Sequence, residues 1–139
     1  MTEPLQNLCI EIETVLDGIA SIRKVKASNT AAGWPVAFAF PASGTFDAGP
    51  IGTRKGLHDI SIWVLTPKGD ITRDNDILRP LVDEVPAAML AQMTENGARF
   101  NGALSTFGGV RYQALSVQYA GVDCRGYEFV LQQCKILTT

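Results

Sequence analysis

Apolar and polar positions alternate most clearly between Gly56 and Thr66, where Ile60, Ile62 and Val64 fall on one parity and Asp59, Ser61 and Trp63 on the other. A period of two makes one apolar row on a pleated strand. Pro67 removes a ladder donor and Gly69 favours a turn, so the strand ends there. Beyond them Ile77, Leu81, Val85, Met89 and Met93 recur every four residues, with Leu78 and Val82 widening the stripe. That spacing predicts a helix with one apolar face, which needs a sheet to bury it. The strand just before it is the expected partner. Pro80 and Pro86 each lack an N–H and disfavour helical geometry in the preceding residue. They predict two pieces, one over about 74–85 and a second restarting at Pro86, stopped by Glu95-Asn96-Gly97. Thr72, Asp74 or Asp76 is expected to cap the start.

The rest of the chain divides by the same criteria. Leu5, Leu8, Ile12, Val15 and Leu16 predict a helix over about 4–17, capped by Thr2 and followed by Gly18 at the C′ position. Ile22-Arg23-Lys24-Val25-Lys26 reads as a short strand, its basic residues suited to an exposed edge. In Trp34-Pro35-Val36-Ala37-Phe38-Ala39-Phe40, one row is Val36, Phe38 and Phe40. The other, Ala37 and Ala39, is shallow enough for a helix to pack closely. Val110–Ala120 alternates again, Gly121 gives a tight turn, and Val122–Leu137 is a last strand with Tyr127, Phe129 and Leu131 on one face. These two read as a hairpin, with a bulge expected near Gly126.

The order is therefore α-β-β-β-α-β-β. The expected fold is α+β: one mostly antiparallel sheet of four or five strands, with two helices packed on one face. Residues 1–139 are expected to form a single domain with two long connections, at about 41–55 and 97–109. The first holds Phe46 and Ile51 among flexible residues and ends in Arg54 and Lys55. It is either a projecting arm with apolar anchors or a surface loop whose Phe46 folds back on the core. Trp63 lies on the parity opposite to the apolar row. It faces either a partner or a locally covering segment.

Composition narrows the function classes. The 46% apolar and 19% charged fractions are those of a globular protein. A net charge of −2 gives no basic excess of the kind nucleic-acid binders show. No run has the length of a membrane span, and the N-terminus lacks a signal-peptide pattern, so synthesis and folding in a cytoplasm are expected. Cys9, Cys124 and Cys134 are odd in number and poorly spaced for a disulfide framework, so they are expected to be reduced and to fill space.

Candidate chemistry is sparse. His58 begins the central strand in phase with Ile60, while Asp59 points the other way, so no acid–base pair is expected. One histidine and scattered cysteines make a poor zinc set. Asp70, Asp74 and Asp76 lack the calcium-loop pattern and suit a helix N-terminus. Phosphate-loop, dinucleotide and nucleophile-elbow patterns are absent. No catalytic, metal or cofactor-binding residue is therefore assigned. The sites named are contact residues: Phe46, Ile51, Arg54, Lys55 and Trp63.

Ile22-Arg23-Lys24-Val25, Trp34-Pro35-Val36, the strand His58–Leu65, Leu78-Arg79-Pro80-Leu81-Val82-Asp83, Val85-Pro86-Ala87-Ala88-Met89-Leu90 and a closing hairpin with Tyr119, Tyr127 and Phe129 follow one another along the chain. This arrangement resembles the tail terminator proteins of long-tailed bacteriophages, the lambda-like neck component. The likeness covers almost the whole chain and lies in order, size and short phrases, with no residue motif to carry over. It implies a non-enzymatic virion protein without a cofactor, a small α+β subunit of a six-membered ring. Such a ring caps the tail tube and presents a surface to the head-side connector or stopper protein. On that reading the 41–55 loop and Trp63 serve ring and tube contacts. DNA passes through the ring without tight binding, and no membrane is involved. Two alternatives remain: a head-completion or head–tail joining protein, and a small α+β ligand-binding domain whose two long loops close over a pocket. An enzyme using His58 and the Asp cluster is a third.

Overall fold

The computed structural model describes residues 4–22, 24–25, 34–46, 56–94, 100 and 103–136. Ile51, Arg54, Lys55, the Thr2 cap and the Glu95-Asn96-Gly97 stop lie outside them. The fold is α+β. Its elements are α1 (Pro4–Asp17), β1 (Lys24–Val25), β2 (Val36–Gly44), β3 (Leu57–Pro67), α2 (Ile71–Thr94), β4 (Leu104–Thr106), β5 (Gly109–Tyr119) and β6 (Val122–Ile136). The order expected from sequence lacked one strand, β4, and among the described residues the sheet has six strands rather than four or five.

The sheet runs β1-β2-β3-β6, with β5 and β4 following one another along the far side of β6. Among the described strands only β1 pairs in parallel, with Lys24 against Val36 and Val25 against Ala37. β6, the longest strand, is paired on both sides, with β3 along one and the β5 hairpin along the other. The hairpin closes through Ala120 and Gly121, with φ of 53° and 78°. Two left-handed residues give a turn whose twist matches the strands, and glycine reaches that region without strain.

α1 packs on β2, where Ala37 and Ala39 leave room for it. α2 packs chiefly on β6 and β5 rather than on the strand before it. Both helices contribute to one core with the β3 row: Leu8, Ile12 and Leu16 from α1, Leu81, Val85 and Met89 from α2, and Ile60, Ile62 and Val64 beneath. The β3 row thus falls between two helices and is shared by them.

α2 is one continuous helix through Pro80 and Pro86, not two pieces. An internal proline costs about 3 kcal/mol through its lost hydrogen bond and ring clash. Each buried aliphatic side chain contributes about 1.5–3 kcal/mol. Leu78, Leu81, Val85 and Met89, all buried, therefore outweigh the two prolines. The cap also differs from expectation. Asp70 Oδ1 accepts the Thr72 N–H at 3.2 Å, which leaves Asp74 for another role.

Two connections are shorter than the sequence suggests. Pro41–Gly44, assigned to a loop, continues β2, pairing with β3 as far as Gly44 against His58. Ala39 directs its N–H away from β3, to Glu13 Oε2 at 3.2 Å. Pro41, two residues on, lies at the next outward position, where a missing donor costs nothing. Within 97–109, Phe100 is almost wholly buried and Leu104–Thr106 forms β4. The bulge expected near Gly126 is absent, and pairing there is regular. A Cβ at Gly126 would run into the Val64 carbonyl, so the glycine permits close approach instead. The irregularity lies at Gln133, with φ 55°, opposite the His58–Ile60 register shift. Asp59 Oδ1 accepts the Gln133 N–H there at 3.0 Å.

Candidate interaction surface

The face of the sheet away from the helices has its own small core of Val36, Leu65 and Cys124. Around it lie Trp34, Phe38, Trp63, Leu115, Val117, Tyr119 and Val122, all half-buried. Every one of these residues comes from a strand or the approach to one. Strand pairing assembles the aromatic set: Phe38 is directly opposite Trp63, and Phe40 lies one step along the same row. The ring centroids are 5.8 Å apart for Phe38 and Trp63 and 5.1 Å for Phe40 and Trp63. Tyr119 stacks on Phe38 at 5.4 Å, and Trp34 meets Tyr119 edge-on at 6.2 Å. Contacts of this kind add about 0.5–1.5 kcal/mol each beyond area burial and hold the rings rigid.

Glu128 organises the polar part of this face. Its Oε2 accepts the Trp63 indole N–H at 2.9 Å and the Ser61 hydroxyl at 3.1 Å, and Oε1 accepts the Gln113 amide at 2.7 Å. Three donors on one half-buried carboxylate fix the Trp63 ring in place. The surface is thus preformed: apolar ring faces beside a carboxylate whose bonds are already committed.

The sequence-named contact residues do not form one patch. Phe46 is 59% exposed and its ring sits 4.6 Å from His58, at the helix-side end of β3. Leu57, 49% exposed, precedes His58 on the parity of Trp63, and its carbonyl accepts the Thr45 N–H. Trp63 is on the face opposite His58 and five residues along, roughly 17 Å at the strand rise. Sequence reading missed that Trp34, Phe38, Phe40, Tyr119 and Glu128 join Trp63. The parity of Phe38 and Phe40 was visible; the register placing Glu128 beside Trp63 was not.

His58 is buried against Gly44 and Cys134, its register partners, and burial lowers its pKa. Among the described residues its Nε2 is buried without a hydrogen-bond partner. Asp59 turns away to the Gln133 bulge, so the two form no dyad. The three aspartates also separate. Asp74 is fully buried, accepting the Gly69 N–H at 2.8 Å and pairing with Arg125 Nε at 3.0 Å, which ties the start of α2 to β6. Asp70 caps the helix and Asp76 is exposed. Among the described residues no group of three His, Cys, Asp or Glu is placed to hold a metal, and no helix is long and apolar enough to cross a membrane.

The three cysteines are free and buried. Burial, with Glu13 nearby, pushes the Cys9 thiol up to about 11, and burial, with Asp59 nearby, pushes Cys134 up to about 12. Protonated thiols are poor nucleophiles. Among the open grooves along the described residues, two adjoin the helices. One of about 410 Å³ lies between Lys68, Asn75 and Leu78 on one side and Leu115, Arg125 and Tyr127 on the other. The second, about 560 Å³, runs between α1 and β2 along Leu5, Cys9 and Ala39. The first shares Leu115 with the aromatic face, and neither is lined by that face's rings. The sequence matches no model of a known protein family, and a search of curated proteins finds no significant match.

Proposed function

We propose that this protein is a non-enzymatic structural subunit of a bacteriophage neck, a tail terminator by preference, residing in the virion after synthesis in the host cytoplasm. The observation that carries this reading is the preformed aromatic face built on Trp63, with no catalytic constellation beside it among the described residues. Half-buried, rigid aromatic side chains are what protein contacts use as anchors. A ring repeats one heterologous contact between two different patches of each subunit. The aromatic face and the exposed Phe46 end are two separate patches and would serve as the two halves of that contact. The mildly acidic chain suits a channel that DNA passes without being held. The tail tube protein and a head-side connector are the proposed partners. A head-completion or head–tail joining role would use the same surfaces.

Native mass spectrometry across a concentration series, with negative-stain microscopy of the largest species, tests the proposal. Six-subunit rings with an open centre, lost on Trp63→Ala while the monomer stays folded, are the expected result. A species that carries a stoichiometric small molecule in either groove and forms no ring, even with the matching tube protein present, would overturn it in favour of a ligand-binding domain.

A further inference from the structure

The two long edges of the sheet are treated differently by the sequence. On the β2 edge, Glu13 takes up the Ala39 N–H, Pro41 has no N–H to offer, and β1 covers the start. These are devices that keep foreign strands away. β5 has none of them. Its eleven residues pair with β6 in unbroken register from Gly109 to Tyr119, without a proline or a bulge, and Arg111 is the sole charge. No described strand pairs with its outer side.

The outward groups can be assigned. A two-residue turn at Ala120–Gly121 makes Tyr119 and Val122 a hydrogen-bonded pair. Backbone direction alternates along an antiparallel strand. Tyr119, Val117, Leu115, Gln113 and Arg111 therefore bond inward to β6, while Gln118, Ser116, Ala114, Tyr112 and Val110 direct their N–H and C=O groups outward. A row of such groups accepts one kind of partner, an extended strand.

We propose that the occupant is β5 of a second copy, antiparallel, with the two-fold axis through Ala114. That register sets Val110 against Gln118 and Tyr112 against Ser116, so each outward residue meets another outward residue. It places Arg111 opposite Val117, so no like charges face each other. It also covers Tyr112, a tyrosine that is 56% exposed in the single chain. The blunted β2 edge explains why a second copy pairs edge to like edge rather than continuing the sheet head to tail. The contact goes beyond the neck reading and does not depend on it. It extends the sheet sideways and leaves the aromatic face and the Phe46 end open.

Sedimentation equilibrium and NMR-detected hydrogen exchange on the full chain test the contact. The expected result is a concentration-dependent doubling of mass, of the single chain or of its ring, in which the amides of Val110, Tyr112, Ala114, Ser116 and Gln118 become protected while their inward neighbours do not change. Ala114→Pro removes only an outward donor, so the chain should fold and self-associate about tenfold more weakly or less. Should that variant not fold, charges test the register instead. Tyr112→Lys with Ser116→Lys opposes like charges across the axis and should abolish the dimer, whereas Tyr112→Lys with Ser116→Glu should restore it. A chain that stays monomeric at every concentration would overturn the proposal. So would a dimer indifferent to both charge pairs, or one whose protection falls outside β5.

Discussion

On the face beneath α1 and α2, Ile60, Ile62, Phe129 and Leu131 are closed from solvent, whereas on the opposite face Phe38, Phe40, Trp63 and Tyr119 keep part of their surface open. The same strands supply both rows. The closed face is mainly aliphatic, with Phe100 and Phe129 as its fully buried rings, and its side chains are sealed by helices. The open face is mainly aromatic, and its side chains are held by one another and by Glu128. Aliphatic side chains gain from full burial, while aromatic rings stacked at an angle stay ordered with one surface wet. A face can therefore be rigid without being covered, and that makes it available to a partner.

Substitutions test this contrast, beginning with the largest effect. Phe129→Ala on the closed face should cost about 3–5 kcal/mol in urea unfolding, because a sealed core cannot collapse into the space. Phe38→Ala should cost only about 1–2 kcal/mol, in keeping with a ring that is partly wet. Equal costs would mean that something covers the second face in solution. Asp74→Ala should lose about 2–3 kcal/mol by freeing the Gly69 N–H and leaving Arg125 without its partner, read as a shift of the unfolding midpoint. Arg125 is partly exposed, which keeps that loss below the value for a fully buried pair.

Trp63→Phe keeps the ring but removes its N–H to Glu128, and about 1 kcal/mol should go with it. His58 supplies a pH test confined to the closed face. Burial lowers its folded-state pKa below the usual 6.5, so the unfolded chain takes up the proton first. Stability from this group is complete above about 6.5 and declines as pH falls through the lowered value. His58→Gln should flatten that slope in unfolding curves just below neutrality. Phe46→Ser should change stability by no more than about 0.5 kcal/mol, because the ring is largely exposed. If ring assembly fails in that variant while stability holds, Phe46 belongs to the contact.

Much of the fold was legible in the chain. The 4–17 helix matches α1, and the parity of Ile60, Ile62 and Val64 against Trp63 matches the two faces of β3. The Val122 strand and its Gly121 turn are also where the alternation places them. Other features were hidden for identifiable reasons. Proline statistics describe isolated helices, and α2 is held by its packed face. Phe100 has no periodic neighbours to announce its burial. The extension of β2 through Pro41 depends on which side of the strand faces outward, and that follows from pairing. Of the residues the sequence singles out as candidates for contact, Phe46 and Trp63 fall among those described, and only the register shows that they lie apart and that Trp63 has Glu128 and four other rings around it.

Local pattern settled α1, β3, the β5–β6 hairpin and the start of β2, and which side of each is apolar, because periodicity and turn chemistry act over a few residues. Tertiary structure alone decided that β6 is central, that α2 lies over β6 and β5, that Asp74 meets Arg125 and that five aromatic rings share one face. Each of those depends on strands far apart in the chain choosing a register, and that choice is made by the packing of the whole sheet.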